Sequence, residues 1–135
     1  VLEEIRQDCE KRRVNGEQNV PEVEISRQYP SGSLNFEFMG TIITNVYANL
    51  TNIVARISFG EQSKANAILV NSHFDTPLDS PGAMDARTCI ATMLELARAV
   101  TYKKLNHSVI FLFNGAEESL QVRYNNNFPS LQQPH

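Results

Sequence analysis

Two short, uninterrupted apolar runs constrain the fold of this chain more than any other feature. They are residues 67–70 (Ala-Ile-Leu-Val) and residues 109–113 (Val-Ile-Phe-Leu-Phe). Such runs are typical of strands buried on both faces, whereas a strand with one face in water alternates apolar and polar residues. Between the two runs, apolar side chains recur at helical spacing, at Ile90, Met93, Leu94, Ala97 and Val100. Strand, helix and strand in this order predict a βαβ unit with parallel strands.

The N-terminal part of the chain alternates instead. Residues 23–25 and 34–38 alternate around a turn signal at residues 29–32, which predicts an antiparallel hairpin. Residues 52–59 predict a further strand, followed by a polar loop at residues 60–66. Taken together, these patterns predict an α/β fold in which helices flank a mixed sheet with central parallel strands.

A helix is also predicted at the start of the chain, where Leu2, Ile5 and Cys9 share one face and Asn15-Gly16 provides a stop. Two cysteines are too few for a disulfide framework. Cys89 falls within a helical pattern, which favours a buried thiol, and a bridge between the two cysteines is left open by the sequence.

Composition excludes some classes of function. The 135 residues fit one domain, and 12 Lys and Arg against 15 Asp and Glu give no electrostatic case for a nucleic-acid partner. No apolar run approaches the roughly 18–20 residues that cross a bilayer, so no membrane contact is expected from this segment.

The chemistry is expected at one edge of the sheet. In open α/β sheets, ligands bind beyond the carboxyl ends of the strands. The intervening helix is predicted to begin around Asp85. Five titratable residues follow the strand ends or lie at this helix start: His73, Asp75, Asp85, Glu117 and Glu118. Taken singly, each has an ordinary interpretation as a surface histidine, a turn acid or a helix N-terminal acid. Together, one imidazole and four carboxylates would require a cation, which favours a divalent metal such as zinc.

The sequence around these residues resembles a known family. Residues 69–75, 79–83, 93–95 and 109–118, with residues 30–39 in support, resemble the co-catalytic dizinc exopeptidases, which include leucyl aminopeptidases and glutamate carboxypeptidase. The likeness is greatest to the endoplasmic reticulum branch and extends to about residue 120. It implies a phosphorylase/zinc-peptidase-like fold and a location in the lumen or membrane of the endoplasmic reticulum, with any membrane anchor of the parent protein outside this segment.

The resemblance also implies roles for the five residues. His73, Asp85 and Glu118 would be metal ligands for two zinc ions, with Asp85 bridging the ions. The catalytic pair would be Glu117, as general base, and Asp75, as the carboxylate that orients His73. The implied function is a zinc-dependent exopeptidase, in which a water activated by two zinc ions hydrolyses a peptide substrate.

The sequence departs from the family pattern in two ways. Ala86 stands where the family commonly has Asp or Asn, and no Asp follows Asp85 to supply a further ligand. His107 and His135 do not match the missing histidine ligand. We therefore expect a partial zinc peptidase domain at residues 1–120, incomplete at its C-terminal end and with an open edge at the strand 109–113, and an irregular polar tail at residues 121–135.

An incomplete ligand set predicts weak or single metal binding and little or no activity. An alternative from another class is a catalytically inactive, truncated relative that acts as a protein-interaction module. A third interpretation, a metal-free flavodoxin-like binding domain, ranks last because no Gly-rich phosphate loop follows either apolar run.

Overall fold

The computed structural model describes residues 1–77 and 79–118, so the predicted polar tail lies outside the described residues. Its helices are α1 (Leu2–Val14), the short α2 (Glu61–Lys64) and α3 (Thr88–Val100). Its strands are β1 (Glu22–Gln28), β2 (Gly32–Phe38), β3 (Thr41–Tyr47), β4 (Asn52–Ser58), β5 (Ala67–His73) and β6 (Ser108–Asn114).

Four strands form one mixed sheet in the order β1-β4-β6-β5. The β5–β6 pair is parallel, as the βαβ pattern predicts, and the β1–β4 and β4–β6 pairs are antiparallel. The predicted α/β class with a mixed sheet is therefore confirmed. Strands β2 and β3 form a separate antiparallel pair.

The main core lies between one face of the sheet and two helices. From β6, the alternate residues Val109, Phe111 and Phe113 point to this face, where they join Ala55 and Ile57 of β4. The predicted apolar faces of α1 and α3 complete the same cluster, with Ile5, Cys9, Met93, Ala97 and Val100. An amphipathic helix is stabilised mainly by burying such a face, which is why both helices form here.

The opposite face of the sheet carries a smaller apolar cluster of Val54, Ile110 and Leu112. The fully buried Arg56 belongs to this face, and its guanidinium donates a hydrogen bond to the Lys64 carbonyl at the end of α2. The described helices therefore flank the sheet on both sides.

The predicted hairpin is wrong in its pairing. Strand β1 pairs with β4, and β2 pairs with β3, a strand that the sequence interpretation missed. Met39 and Gly40 join β2 to β3 with φ angles of 50° and 78°. Two consecutive residues with positive φ are the mark of the tight turns that close two-residue hairpins.

The apolar run at residues 67–70 is not buried on both faces. Strand β5 is the edge of the described sheet, and Ile68 and Leu69 are each 57% exposed. The predicted open edge at residues 109–113 is also wrong, because β6 lies between β4 and β5 and is buried along its whole length. Cys9 is buried, but Cys89 is exposed, contrary to prediction, and both are free thiols.

Candidate metal centre

The parallel pairing of β5 and β6 brings two strand ends to one edge of the sheet. His73, the last residue of β5, is in register with Asn114, the last residue of β6. The segment after β5 supplies Asp75, and the turn after β6 supplies Glu117 and Glu118.

His73 lies at the centre of this group. Its Nδ1 is 3.1 Å from the backbone oxygen of Asp75, and its Nε2 is 3.0 Å from Oδ1 of Asp85. Oε2 of Glu117 is 3.9 Å from the same Nε2. If Nδ1 carries the proton and donates it to the carbonyl, Nε2 of a neutral imidazole presents a lone pair to carboxylate oxygens.

Asp75 joins the two strand ends. Its Oδ1 accepts the backbone N–H of Glu117 at 3.0 Å, and its Oδ2 accepts the backbone N–H of Glu118 at 3.1 Å. Oδ1 of Asp75 is also 3.4 Å from Nδ1 of His73. This distance is longer than the 3.1 Å between the Asp75 backbone oxygen and the same nitrogen.

Asp85 reaches His73 from an irregular segment that precedes α3. Its φ and ψ of −117° and 98° are not helical, and the Asp85–Ala86 peptide bond is cis. The predicted start of the helix around Asp85 is therefore wrong, because α3 begins three residues later, at Thr88. Gly82, with a φ of 59°, begins this segment. A Cβ at position 82 would collide with the Thr76 side chain. The Asp85 side chain is 78% exposed.

Three ligand groups converge closely. Ligand atoms of His73, Glu117 and Glu118 all lie within 4.8 Å of one another. Two of these residues were predicted ligands, and the third, Glu117, was the predicted base. The four acids are thus gathered around the His73 imidazole, while His107 precedes β6 at the opposite end of that strand.

The proximity of these groups shifts two pKa values. Partial burial lowers the pKa of His73. Hydrogen bonds that the ring donates to Asp85 and to the Asp75 carbonyl, together with the charges of Glu117 and Asp75, outweigh this effect, so the net pKa is raised. Desolvation, followed by the negative charges of Asp85 and Glu117, raises the pKa of Glu118. Excess negative charge is what a bound cation would relieve.

Three asparagines that sequence reasoning missed support this edge. Asn71 Nδ2 donates to Oδ1 of Asn114 at 2.6 Å and so ties β5 to β6. Asn52 Oδ1 accepts the backbone N–H of Gly115 at 3.3 Å, at the start of the turn that carries both glutamates. Amide side chains that interrupt apolar strands next to predicted site residues were the available signal.

Fold and side-chain chemistry thus define an α/β protein with a candidate metal centre at the carboxyl edge of its sheet. The sequence model of Peptidase family M28 matches residues 52–124, which begin at β4 and include all five residues of the centre. The chain belongs to Peptidase family M28.

Individual relatives agree with this assignment. Endoplasmic reticulum metallopeptidase 1 of Rattus norvegicus is 41% identical over 100 residues, which are 73% of this chain and 11% of the relative. The Homo sapiens protein of the same name is 39% identical with the same coverage. This chain therefore spans about a ninth of the length of these relatives.

Solved structures show a similar but more distant likeness. A leucine aminopeptidase precursor from Bacteroides thetaiotaomicron superposes with a TM-score of 0.49 at 20% identity, covering 81% of this chain and 36% of that one.

The structure also bears on membrane contact. Within residues 1–77 and 79–118, no helix has the length and apolar character needed to cross a membrane.

Proposed function

We propose that this chain forms part of the catalytic core of a zinc-dependent exopeptidase. The observation that carries the proposal is the convergence of ligand atoms from His73, Glu117 and Glu118 within 4.8 Å, with Asp85 on the same imidazole. The relatives named as metallopeptidases support it.

The donor set fits zinc. Imidazole nitrogen and carboxylate oxygen are both zinc ligands, and a histidine ligand usually gives its other ring nitrogen to a carbonyl or carboxylate. His73 follows this pattern, because its Nδ1 contacts the Asp75 backbone oxygen while Nε2 faces the acids. His73, Asp85 and Glu118 would hold the zinc, and Asp85 would serve as a ligand to both ions of a two-zinc site.

Bound zinc would supply Lewis-acid polarisation of the scissile carbonyl. Glu117 would act as the base: its carboxylate takes a proton from the attacking water as the new C–O bond forms. It then returns that proton to the amine nitrogen as the C–N bond breaks. The Glu117 side chain is 47% exposed, so a peptide can approach it.

Among residues 1–77 and 79–118, the ligand set is small for two ions. Two zinc ions would share three protein ligands, whereas each zinc usually has about three of its own. We therefore infer that residues 1–120 are a partial peptidase domain that binds zinc weakly or at one site and has little or no activity alone. We also propose an endoplasmic reticulum location for the whole protein, on the names of its relatives.

Isothermal titration of the purified chain with zinc tests the proposal. We expect measurable binding that falls at least about tenfold in His73→Ala, because the only imidazole of the centre is lost. His107→Ala is the matched control, since it removes an exposed imidazole at the far end of β6. Equal zinc affinity of the wild type and His73→Ala would contradict the proposal.

A second assay distinguishes the proposed peptidase from the alternative interpretation, a catalytically inactive relative. It uses the longer protein that contains this chain and aminoacyl chromogenic substrates. We expect turnover that a chelator abolishes and zinc restores, whereas turnover unaffected by chelator, or none at all, would contradict the peptidase.

A further inference from the structure

The carboxylate of Asp75 spans a gap between two segments that are distant in the sequence. It lies just after β5, and the two amides that it accepts follow β6, 42 and 43 residues later. One oxygen is 3.0 Å from the Glu117 nitrogen and the other is 3.1 Å from the Glu118 nitrogen. Hydrogen bonds to an ionised carboxylate are among the strongest in proteins.

The turn that carries the two glutamates is anchored at its start by other groups. The Gly115 N–H donates to the Thr51 carbonyl at 3.1 Å, and a Cβ at Gly115 would lie only 2.9 Å from that oxygen. Ala116 then has a φ of 83°, which turns the backbone away from the line of β6. At the glutamates themselves, the turn is held by the two hydrogen bonds to the Asp75 carboxylate.

His73 does not depend on that carboxylate to the same degree. Its Nδ1 is 3.1 Å from the backbone oxygen of Asp75 and 3.4 Å from Oδ1. The backbone oxygen is present whatever side chain stands at position 75, so the contact that orients the imidazole survives substitution.

We propose that Asp75 is a positioning residue for Glu117 and Glu118, whose backbone it holds through its carboxylate, while its backbone carbonyl orients His73. The two roles of Asp75 can therefore be separated by mutation. The chemical meaning of this role rests on the proposed function, but the contacts themselves are tested without zinc.

The first test uses the unaltered, metal-free chain labelled with ¹⁵N and ¹³C. We expect couplings across the hydrogen bonds from the amide nitrogens of Glu117 and Glu118 to Cγ of Asp75. Absence of both couplings would overturn the proposal, and this measurement needs no variant to fold.

The second test compares variants at one fixed pH. In Asp75→Ala, solvent exchange of the Glu117 and Glu118 amides should accelerate about tenfold or more, because both lose a charged acceptor. Asp75→Asn keeps one acceptor oxygen and should have a smaller effect. The ¹⁵N shifts that report the His73 tautomer are read at a pH well above the His73 pKa, where the ring is neutral with or without the Asp75 charge, and should stay unchanged in both variants.

Asp79→Asn is the matched control, since it removes an exposed acid four residues along the same segment. It should leave both amides and the His73 signals as they are. Unchanged Glu117 and Glu118 amides in Asp75→Ala, together with an altered His73 tautomer, would overturn the proposal in favour of a purely imidazole-orienting role. Failure of zinc binding would leave these results intact and would count against the proposed function alone.

Discussion

Oδ1 of Asp85 lies 3.0 Å from Nε2 of His73, so the acid from the segment before α3 reaches the imidazole at the end of β5. A carboxylate and an unprotonated imidazole nitrogen are both acceptors and would repel at this distance. A proton must therefore lie between them, or a metal ion in the proposed zinc-bound state, so we expect the centre to respond to both pH and zinc.

The pH dependence follows from this relationship. Because the folded-state pKa of His73 is raised above its ordinary value near 6.5, protonated His73 stabilises the metal-free fold at pH values below the unfolded pKa. That stabilisation should be lost as the pH rises through the folded pKa. Urea unfolding of the metal-free chain at several pH values should show it, and His73→Ala should remove this part of the dependence while His107→Ala keeps it.

The affinity for zinc should change with pH in the opposite direction to the stability of the metal-free fold, over the same pH range. Protons and zinc compete for Nε2 of His73, so the zinc affinity should rise with pH until the imidazole is neutral. Titrations in buffers of different ionisation enthalpy would count the protons released. Zinc binding that releases no proton at a pH below the His73 pKa would contradict the assignment of this ligand.

Substitution of Glu117 distinguishes a role of this residue as general base from a role as metal ligand. In the proposed full-length peptidase, Glu117→Gln should lower kcat by about 10²- to 10⁴-fold, because the proton acceptor is lost, while zinc affinity changes little. Glu95→Gln, an exposed acid on α3, is the control. A large loss of zinc affinity in Glu117→Gln would show that this residue is a ligand, as its place in the 4.8 Å group permits.

The contact between α1 and the end of α3 should be important for stability. The Arg12 guanidinium contacts the Glu17 carboxylate at 2.6 Å and the Thr101 carbonyl at 3.3 Å, and it lies 4.2 Å from the centre of the Tyr102 ring. Arg12→Ala should lower the free energy of unfolding by about 1–3 kcal/mol, since a mostly buried, charged donor is lost.

Arg6→Ala provides the comparison for that prediction. Arg6 pairs with Glu3 on the exposed side of α1, and such surface pairs contribute about 0–1 kcal/mol. Urea denaturation of both variants measures the difference, and equal losses of stability would show that the contact of Arg12 with α3 adds nothing.

The local patterns were the part of the fold that sequence could predict. The apolar face of α3, the buried β6 and the parallel β5–β6 pair all follow from periodicity and connectivity. The partner of β1 could not be predicted in this way, because strand pairing depends on contacts far apart in the chain. A turn signal between neighbouring alternating segments favoured the wrong partner.

The prediction that β5 is buried on both faces was wrong for a related reason. An apolar run has the same composition whether its strand lies inside a sheet or at the edge of the described strands, so Ile68 and Leu69 were expected to be buried. Likewise, the residue types of the candidate centre were visible in the sequence, but the irregular backbone at Asp85 and the two amides held by Asp75 were not.

Anomalous X-ray scattering at the zinc edge, measured on crystals of the zinc-loaded chain, would show whether these side chains bind a metal. The proposed zinc site requires a zinc peak about 2.0–2.2 Å from Nε2 of His73, with carboxylate oxygens of Asp85 and Glu118 as further ligands. A zinc peak elsewhere on the chain, or no peak beside His73 at saturating zinc, would contradict it.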